Sequence, residues 1–341
     1  MTNYVGIARA HTNIALIKYW GKKNKELFLP MNSSLSLTLD AFYTDTKITL
    51  DSHFNSDCFY LNGEKQDDKN TQKISQFLNL FRSQMNEYLY AKVESYNFVP
   101  TAAGLASSAS AFAALATAMN EASNLQFSLD VLSTYARRGS GSATRSIYGG
   151  FVEWQMGTAN HNSKAIYIDP ANFDIAMLII VVNAKQKKIS SRIGMEHTVL
   201  TSPFYQEWIK TAKQDLVAIK EAIQQQDIRL IGEITEANAM KMHATTLSAN
   251  PPFTYFEPES LIAQQAVTSL REKGYTAYYT MDAGPNVKVL CKKSQLTAIQ
   301  KELEQYFNKE QLIPSNVGDG VRLLTEQEWE QSIQQFNSEV Q

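Results

Sequence analysis

The sequence predicts an α+β fold in two domains. Apolar patterns of period two and period 3.6 are interspersed without the regular strand–helix alternation of a doubly wound sheet. At 341 residues the chain is too long for one small domain and long enough to bury two cores. After Ala184 the texture changes to a succession of helices, which sets the expected division at 1–184 and 185–341.

Residues 5–10 read as a short strand. Thr44, Thr46, Ile48 and Leu50 alternate with Asp45, Lys47 and Thr49, the pattern of a half-buried strand. Asn62-Gly63 is a turn signal after residues 58–61. Ile74, Phe77, Leu78, Phe81, Met85 and Leu89 recur at helical spacing, predicting a helix over 71–90. A strand follows over 91–99, then an alanine-rich helix over 107–121, where alanine loses no side-chain entropy. Ser128 is the expected N-cap of a helix to Arg137, with Asp130 in its first turn. Strands are expected at 151–154 and 175–182, the second buried on both faces. Helices follow over 204–226, 228–242 and 261–273. Paired strands at 275–281 and 287–291 flank Asp282-Ala283-Gly284-Pro285, and the last clear helix spans 295–307.

Composition narrows the function. With 32 basic and 34 acidic residues, a net charge of −2 and 44% apolar types, the chain is neither disordered nor a strongly cationic nucleic-acid binder. The longest apolar run, 175–182, is far short of the roughly 20 residues that cross a bilayer as a helix, so no membrane partner is expected. No signal or transit peptide is visible in Met1-Thr2-Asn3-Tyr4. Two lone cysteines, Cys58 and Cys291, argue for a reducing compartment and a cytoplasmic location. There is no Walker loop, and Gly139-Ser140-Gly141 lacks the third glycine of a dinucleotide fingerprint. The five histidines are scattered, so a zinc site has little support.

Five segments remain. Pro100 to Ser110, with Ala103, Gly104, Leu105, Ala106, Ser107 and Ser108, joins a strand to a helix start through small residues. Free backbone N–H groups beside the positive end of a helix dipole suit a polyphosphate, and Ser107 or Ser108 could bind it or Mg²⁺. Close helix packing would ask for the same small residues. Asn13, Lys18, Tyr19 and Lys22 form a second group, suited to a diphosphate, or to a solvated face around a core Trp20. The third, Arg137 to Ser146, sets Ser140, Gly141 and Ser142 beside arginines. Arg145 could grip a carboxylate or phosphate through paired hydrogen bonds, though a flexible serine-glycine loop beside a basic helix end, with Arg137 and Arg138 favouring the dipole, would show the same residues. The fourth, Lys185 to Arg192, carries Lys187, Lys188 and Ser191, and ordinarily such a run is a solvated loop. The fifth, Met281 to Asn286, offers a lone carboxylate, Asp282, at a strand end, which a plain turn would also explain.

Together these segments resemble the mevalonate diphosphate decarboxylase family of the GHMP kinase superfamily, in order from Ala8 to about Asn286. The combination of Asn13 with Lys18 to Lys22, Gly139 to Arg145 and Met281 to Asn286 points to the decarboxylases rather than to the related kinases. Thr144 stands where many eukaryotic members have cysteine. The resemblance implies a two-domain GHMP kinase fold, with a left-handed crossover in the N-terminal nucleotide domain and a ferredoxin-like C-terminal domain. It implies ATP-dependent conversion of mevalonate 5-diphosphate to isopentenyl diphosphate, ADP, phosphate and CO₂, with Mg²⁺ and as a homodimer. Asp282 would then stand beside the 3-hydroxyl with Lys18 next to it, and as a candidate Mg²⁺ ligand. Arg145 and Asn13 would hold the substrate carboxylate. Tyr19, Lys22, Ser140, Gly141, Ser142, Ser191 and Arg192 would hold its diphosphate. Gly104 to Ser108 would wrap the ATP phosphates, closed over by Lys187 or Lys188. The rivals are a kinase that stops at the phosphorylated product, a decarboxylase of the monophosphate, and a nucleotide-binding regulator without catalysis.

Overall fold

The protein is described from a computed structural model that covers residues 4–98, 108–182 and 189–340. The chain begins with a long strand, β1 (Tyr4–Ile17), a small hairpin of β2 (Lys22–Asn24) and β3 (Leu29–Pro30), and β4 (Ser34–Asp51). Next come β5 (Cys58–Leu61), β6 (Glu64–Lys65), α1 (Asp68–Arg82), β7 (Tyr90–Phe98), α2 (Ser108–Ala122) and α3 (Leu129–Gly139). A 3-10 helix, Gly141–Ser146, leads into β8 (Phe151–Trp154), β9 (Ala165–Asp169) and β10 (Ala176–Ile180). Four helices follow: α4 (Ser191–Thr201), α5 (Tyr205–Gln224), α6 (Ile228–Leu247) and α7 (Pro258–Glu272). The chain finishes through β11 (Ala277–Met281), β12 (Val287–Cys291), α8 (Leu296–Leu303), β13 (Leu312–Ser315), β14 (Arg322–Leu323) and α9 (Glu326–Val340).

The first sheet runs β14-β1-β4-β7-β5-β6, with β8 on β4 and β9 on β8. The second, β11-β12-β10-β13, is antiparallel throughout. β1 pairs β4 from Tyr4↔Leu50 to Ile17↔Leu35, with register shifts between His11 and Asn13 and between Ala15 and Ile17. Such irregularities bend a strand and re-aim side chains, here in the stretch that carries Asn13. α2 lies close across this pair because its buried face is mostly alanine and β1 offers Gly6, where a Cβ would stand 2.0 Å from the Ala118 carbonyl oxygen.

The two sheets share a core. Leu16, Leu35 and Leu37 of the first pack with Met177, Ile179 and Leu290 of the second and with Ile219 and Ile231 of α5 and α6. Ala176, Leu178 and Ile180 face the opposite way, into a core with α7 and α8, so β10 is buried on both faces as expected. The sheets do not part at residue 184: β10 already belongs to the second, while β14 and α9 return to the first.

Several local expectations change, and β1 runs from Tyr4 to Ile17 instead of ending at Ala10. The helix over 71–90 stops at Arg82, whose guanidinium bonds the Leu89 carbonyl at 2.9 Å and Asp57 at 2.5 Å, tying the returning chain beneath it. The end of the basic run is helical: Ser190 caps α4 by accepting from the Ile193 N–H. α9 went unforeseen. It lays Trp329, Ile333 and Phe336 over the outer face of β4 and β7, with Trp329 edge-on to Tyr96 at 5.5 Å.

Candidate active site

The site forms where the starts and ends of several elements meet. β1 runs out at Ile17 and delivers Lys18, Tyr19 and, at the start of β2, Lys22. The 3-10 helix supplies Ser142 and Arg145 from the side, with Ser140 and Ser108 at the junction of α3 and α2. α4 begins with Ser191 and Arg192. The β11–β12 turn brings Asp282 from the second sheet. These side chains line one cavity of about 400 Å³.

Its centre is an ion cluster. The Lys18 ammonium donates to Asp282 Oδ1 at 2.8 Å and to the Ala15 carbonyl at 2.6 Å. Lys288 of β12 approaches Asp282 Oδ2 at 3.4 Å. Both lysines are nearly inaccessible, 2% and 3% exposed, whereas the Asp282 side chain is 39% exposed. The carboxylate therefore faces the cleft with two cations behind it. Burial alone would raise the Asp282 carboxyl, but the Lys18 and Lys288 ammoniums outweigh it and hold it well below the usual carboxylate range. Burial pulls Lys18 down to about 8 in spite of Asp282. His243 of α6, also buried here, is pushed down to about 3 by burial and then by Lys18, so it is neutral.

Lys18 is fixed by its backbone. Its N–H donates to Asn238 Oδ1 at 2.9 Å and its carbonyl accepts from Asn32 at 2.9 Å. Arg145, 3% exposed, donates to Ser34 Oγ at 2.6 Å and to Asn13 Oδ1 at 3.2 Å. Asn13 in turn donates to the Ser142 carbonyl and Ser146 Oγ. Both ends of the Asn13 amide are thus engaged by protein, and Asn13 orients Arg145 rather than offering a free donor to the cleft.

Around this centre lie further polar groups. Tyr19 packs on Trp154 with ring centroids 4.7 Å apart, and its hydroxyl is buried without a hydrogen-bond partner among the described residues. Gly141 permits that packing: a Cβ there would come within 2.8 Å of Trp154 and 3.1 Å of Tyr19. Lys22 sits over the Phe28 ring at 3.6 Å, and burial, with Arg192 and Lys25 nearby, lowers it to about 8. Ser140 Oγ lies 3.2 Å from both Ser108 Oγ and Ser142 Oγ, beside the first turn of α2.

The described residues thus bring together Asp282, Lys18, Arg145, Asn13, Tyr19, Lys22, Ser108, Ser140, Gly141, Ser142, Ser191 and Arg192. Pro100, Ala103, Gly104, Leu105, Ala106, Ser107, Lys187 and Lys188 lie outside the described residues. Arg137, by contrast, is wholly buried on the carbonyls of Leu27, Asn160 and Ser163 and is structural. Lys288 was missed. Its signal was a lysine inside Val287–Cys291, a strand otherwise made of buried apolar residues.

Residues 10–165 match the family described as the diphosphomevalonate decarboxylase-like N-terminal domain. Residues 177–340 match the mevalonate 5-diphosphate decarboxylase C-terminal domain. The chain belongs to the mevalonate diphosphate decarboxylase family. It is accordingly an enzyme of the decarboxylase type. It is 38% identical to the diphosphomevalonate decarboxylase of Ganoderma lucidum over 332 residues, 90% of this chain and 83% of that one. It is 37% identical to that of Saccharomyces cerevisiae over 307 residues, 84% of this chain and 77% of that one. Among solved structures, the mevalonate diphosphate decarboxylase of Staphylococcus aureus superposes with a TM-score of 0.91 at 49% identity, covering 94% and 98% of the two chains. A structure of MDDEF in complex with MVAPP, AMPPCP and magnesium gives 0.89 at 55% identity, with the same coverage. The family fold, α+β in two parts, is the one expected from the sequence.

Proposed function

We propose that this cleft carries out the ATP-dependent decarboxylation of mevalonate 5-diphosphate, with Asp282 set against the 3-hydroxyl. The observation that supports this most is the exposed carboxylate between two buried ammoniums, in a cleft whose other charged lining groups are all cations.

A tertiary hydroxyl is a poor leaving group, so CO₂ is lost readily only after the oxygen carries a phosphoryl group. Phosphate and CO₂ then depart together and leave a double bond. No electron sink is required; the site needs positioning and positive charge. Arg145 supplies a planar cation for the substrate carboxylate, held in place by Ser34 and Asn13. Lys22 and Arg192 neutralise the diphosphate. Tyr19, Ser140, Ser142 and Ser191 offer hydroxyls to it, and Gly141 leaves room for Tyr19 to pack on Trp154 beside them.

Asp282 accepts the hydroxyl's hydrogen bond and aims its oxygen. A weak base suffices, because the proton becomes strongly acidic only as the bond to phosphorus forms, and it then passes to the carboxylate.

The start of α2 suits nucleotide phosphates, since Ser108 and Ala109 of its first turn line the cleft beside the positive end of the helix dipole. Mg²⁺ supplies charge neutralisation on those phosphates. Both Asp282 oxygens face ammoniums, so Ser108, together with Ser107, is the better ligand set. The family resemblance also supports a homodimer, which light scattering on the purified protein tests. Among the described residues no helix is long and apolar enough to cross a membrane.

The test compares mevalonate 5-phosphate and 5-diphosphate side by side, following CO₂ and ADP. Equal amounts of both products, from the diphosphate only, are expected. ADP without CO₂ would make the protein a kinase, equal use of the monophosphate would remove the diphosphate pocket, and no turnover would leave a binding protein.

A further inference from the structure

Lys18 does not hold Asp282 alone. On the opposite carboxylate oxygen stands Lys288, a buried lysine in the middle of the second sheet, and a buried cation has a high solvation cost unless something requires it. Its environment is built. The Lys288 ammonium donates to the Asn286 carbonyl at 3.2 Å, and Asn286 Oδ1 accepts from the Val182 N–H at 2.8 Å, which ties the turn to the end of β10. Lys18 is anchored with equal rigidity to the first sheet through Ala15, Asn32 and Asn238.

We infer that Lys288 is a positioning residue of the reaction: it fixes the Asp282 carboxylate from the side opposite Lys18, so that the acceptor oxygen is clamped between cations belonging to the two sheets. The inference rests on the function proposed above. With one lysine, the carboxylate could rotate about that single contact and carry the 3-hydroxyl with it. With two, its plane is set, and a plane set to within a fraction of an ångström is what in-line phosphoryl transfer demands. The other groups facing the carboxylate are Arg145 from the 3-10 helix and neutral His243 from α6. From α7, Ser260 reaches only the back of the turn, donating to the Pro285 carbonyl at 2.7 Å.

The test is Lys288→Met, which keeps length and removes charge, with Lys288→Arg as the conservative partner. The expected loss in kcat for Lys288→Met is on the order of 10- to 100-fold, with KM for both substrates nearly unchanged. Carbon-13 labelling of aspartate, with Asp282 assigned by difference from Asp282→Asn, should show its carboxyl titrating higher than in the wild type by about one pH unit or more. Lys288→Arg should recover most of both. An unshifted carboxyl in Lys288→Met would overturn the inference. So would a rise in KM at constant kcat, which would make Lys288 a substrate ligand. If Lys288→Met does not unfold cooperatively, Lys18→Met decides, since Lys288 is then the remaining ammonium. Because Arg145 also faces the carboxylate, Lys18→Met is read beside Lys18→Met/Arg145→Met: a carboxyl still titrating below ordinary aspartate in the double variant supports the clamp, and an ordinary value refutes it. The titration does not depend on turnover, so failure of the proposed activity and failure of the clamp are read separately.

Discussion

Lys18 and Asp282 stand 264 positions apart in the chain and 2.8 Å apart in space. The contact joins the end of the first strand of one sheet to a turn of the other. The reacting centre is therefore assembled only when both sheets are in place on their common core.

Arg145→Lys should lose far more rate than conservation of charge suggests. The guanidinium reaches Ser34 and Asn13 while staying planar toward the cleft, and an ammonium cannot make that set of bonds. A fall in kcat/KM on the order of 10²-fold is expected, as for a misplaced reacting group. Steady-state turnover near that of the wild type would remove Arg145 from the carboxylate role.

Tyr19→Phe separates binding from folding. The phenol oxygen is buried without a partner among the described residues, so its removal should leave thermal stability equal or higher. The same change should raise KM for the diphosphate substrate, because one donor to it is lost. Lowered stability with unchanged KM would mean that the hydroxyl serves the fold.

The diphosphate pocket should be pH-sensitive through Lys22. Burial, then Arg192 and Lys25, lowers its ammonium to about 8, so the charge is complete below that pH and lost above it. Since kcat/KM reports groups of the free enzyme, it should fall as pH rises through 8. Lys18, also lowered to about 8, adds to the same limb. Lys22→Arg should make the limb shallower. Lys22→Ala and Arg192→Ala should weaken substrate binding at all pH values, with smaller effects on kcat. Unchanged affinity in both alanine variants would contradict the pocket.

Gly6→Ala tests the seat of α2. The new Cβ would meet backbone atoms of Ala118 and Ala122 at 2.0 and 2.7 Å, which no side-chain rotation relieves. Overpacking of this kind costs about 1–3 kcal/mol or more. Because α2 begins at Ser108, nucleotide affinity should fall with stability. Chemical denaturation measures the first effect, and an unchanged midpoint would show that helix and strand are not so close.

Much of the site could be read from the chain because the chemistry of its residues is local. Asp282 is a carboxylate at a strand end before Gly-Pro, and Ser140 to Arg145 concentrate hydroxyls and a guanidinium in six positions. What could not be read depends on pairing across the fold. Lys288 is the one charged residue of an otherwise apolar strand, and only its position opposite Asp282 gives the lysine a reason. Asn13 lines the cleft, but the direction of its amide is set by neighbours distant in the chain, here Ser142, Ser146 and Arg145. α9 is mostly glutamine and glutamate, and its narrow stripe of Trp329, Ile333 and Phe336 acquires meaning only against Tyr96 and Phe98. The end of the 71–90 pattern at Arg82 likewise follows from a buried ion pair with Asp57, a residue outside the helix.

The central claim is that Asp282 serves phosphoryl transfer to the 3-hydroxyl and that loss of CO₂ waits on that transfer. It is tested most directly by Asp282→Asn in a single-turnover experiment that follows ADP and CO₂ separately. Asparagine keeps the shape and can still accept a hydrogen bond, but it carries no charge and takes no proton. ADP and CO₂ formation should fall together, on the order of 10²-fold or more, while both substrates still bind. ADP and a 3-phosphorylated intermediate appearing at the normal rate without CO₂ would place Asp282 after phosphorylation and contradict the account; unchanged rates for both would reduce residues 281–286 to a turn.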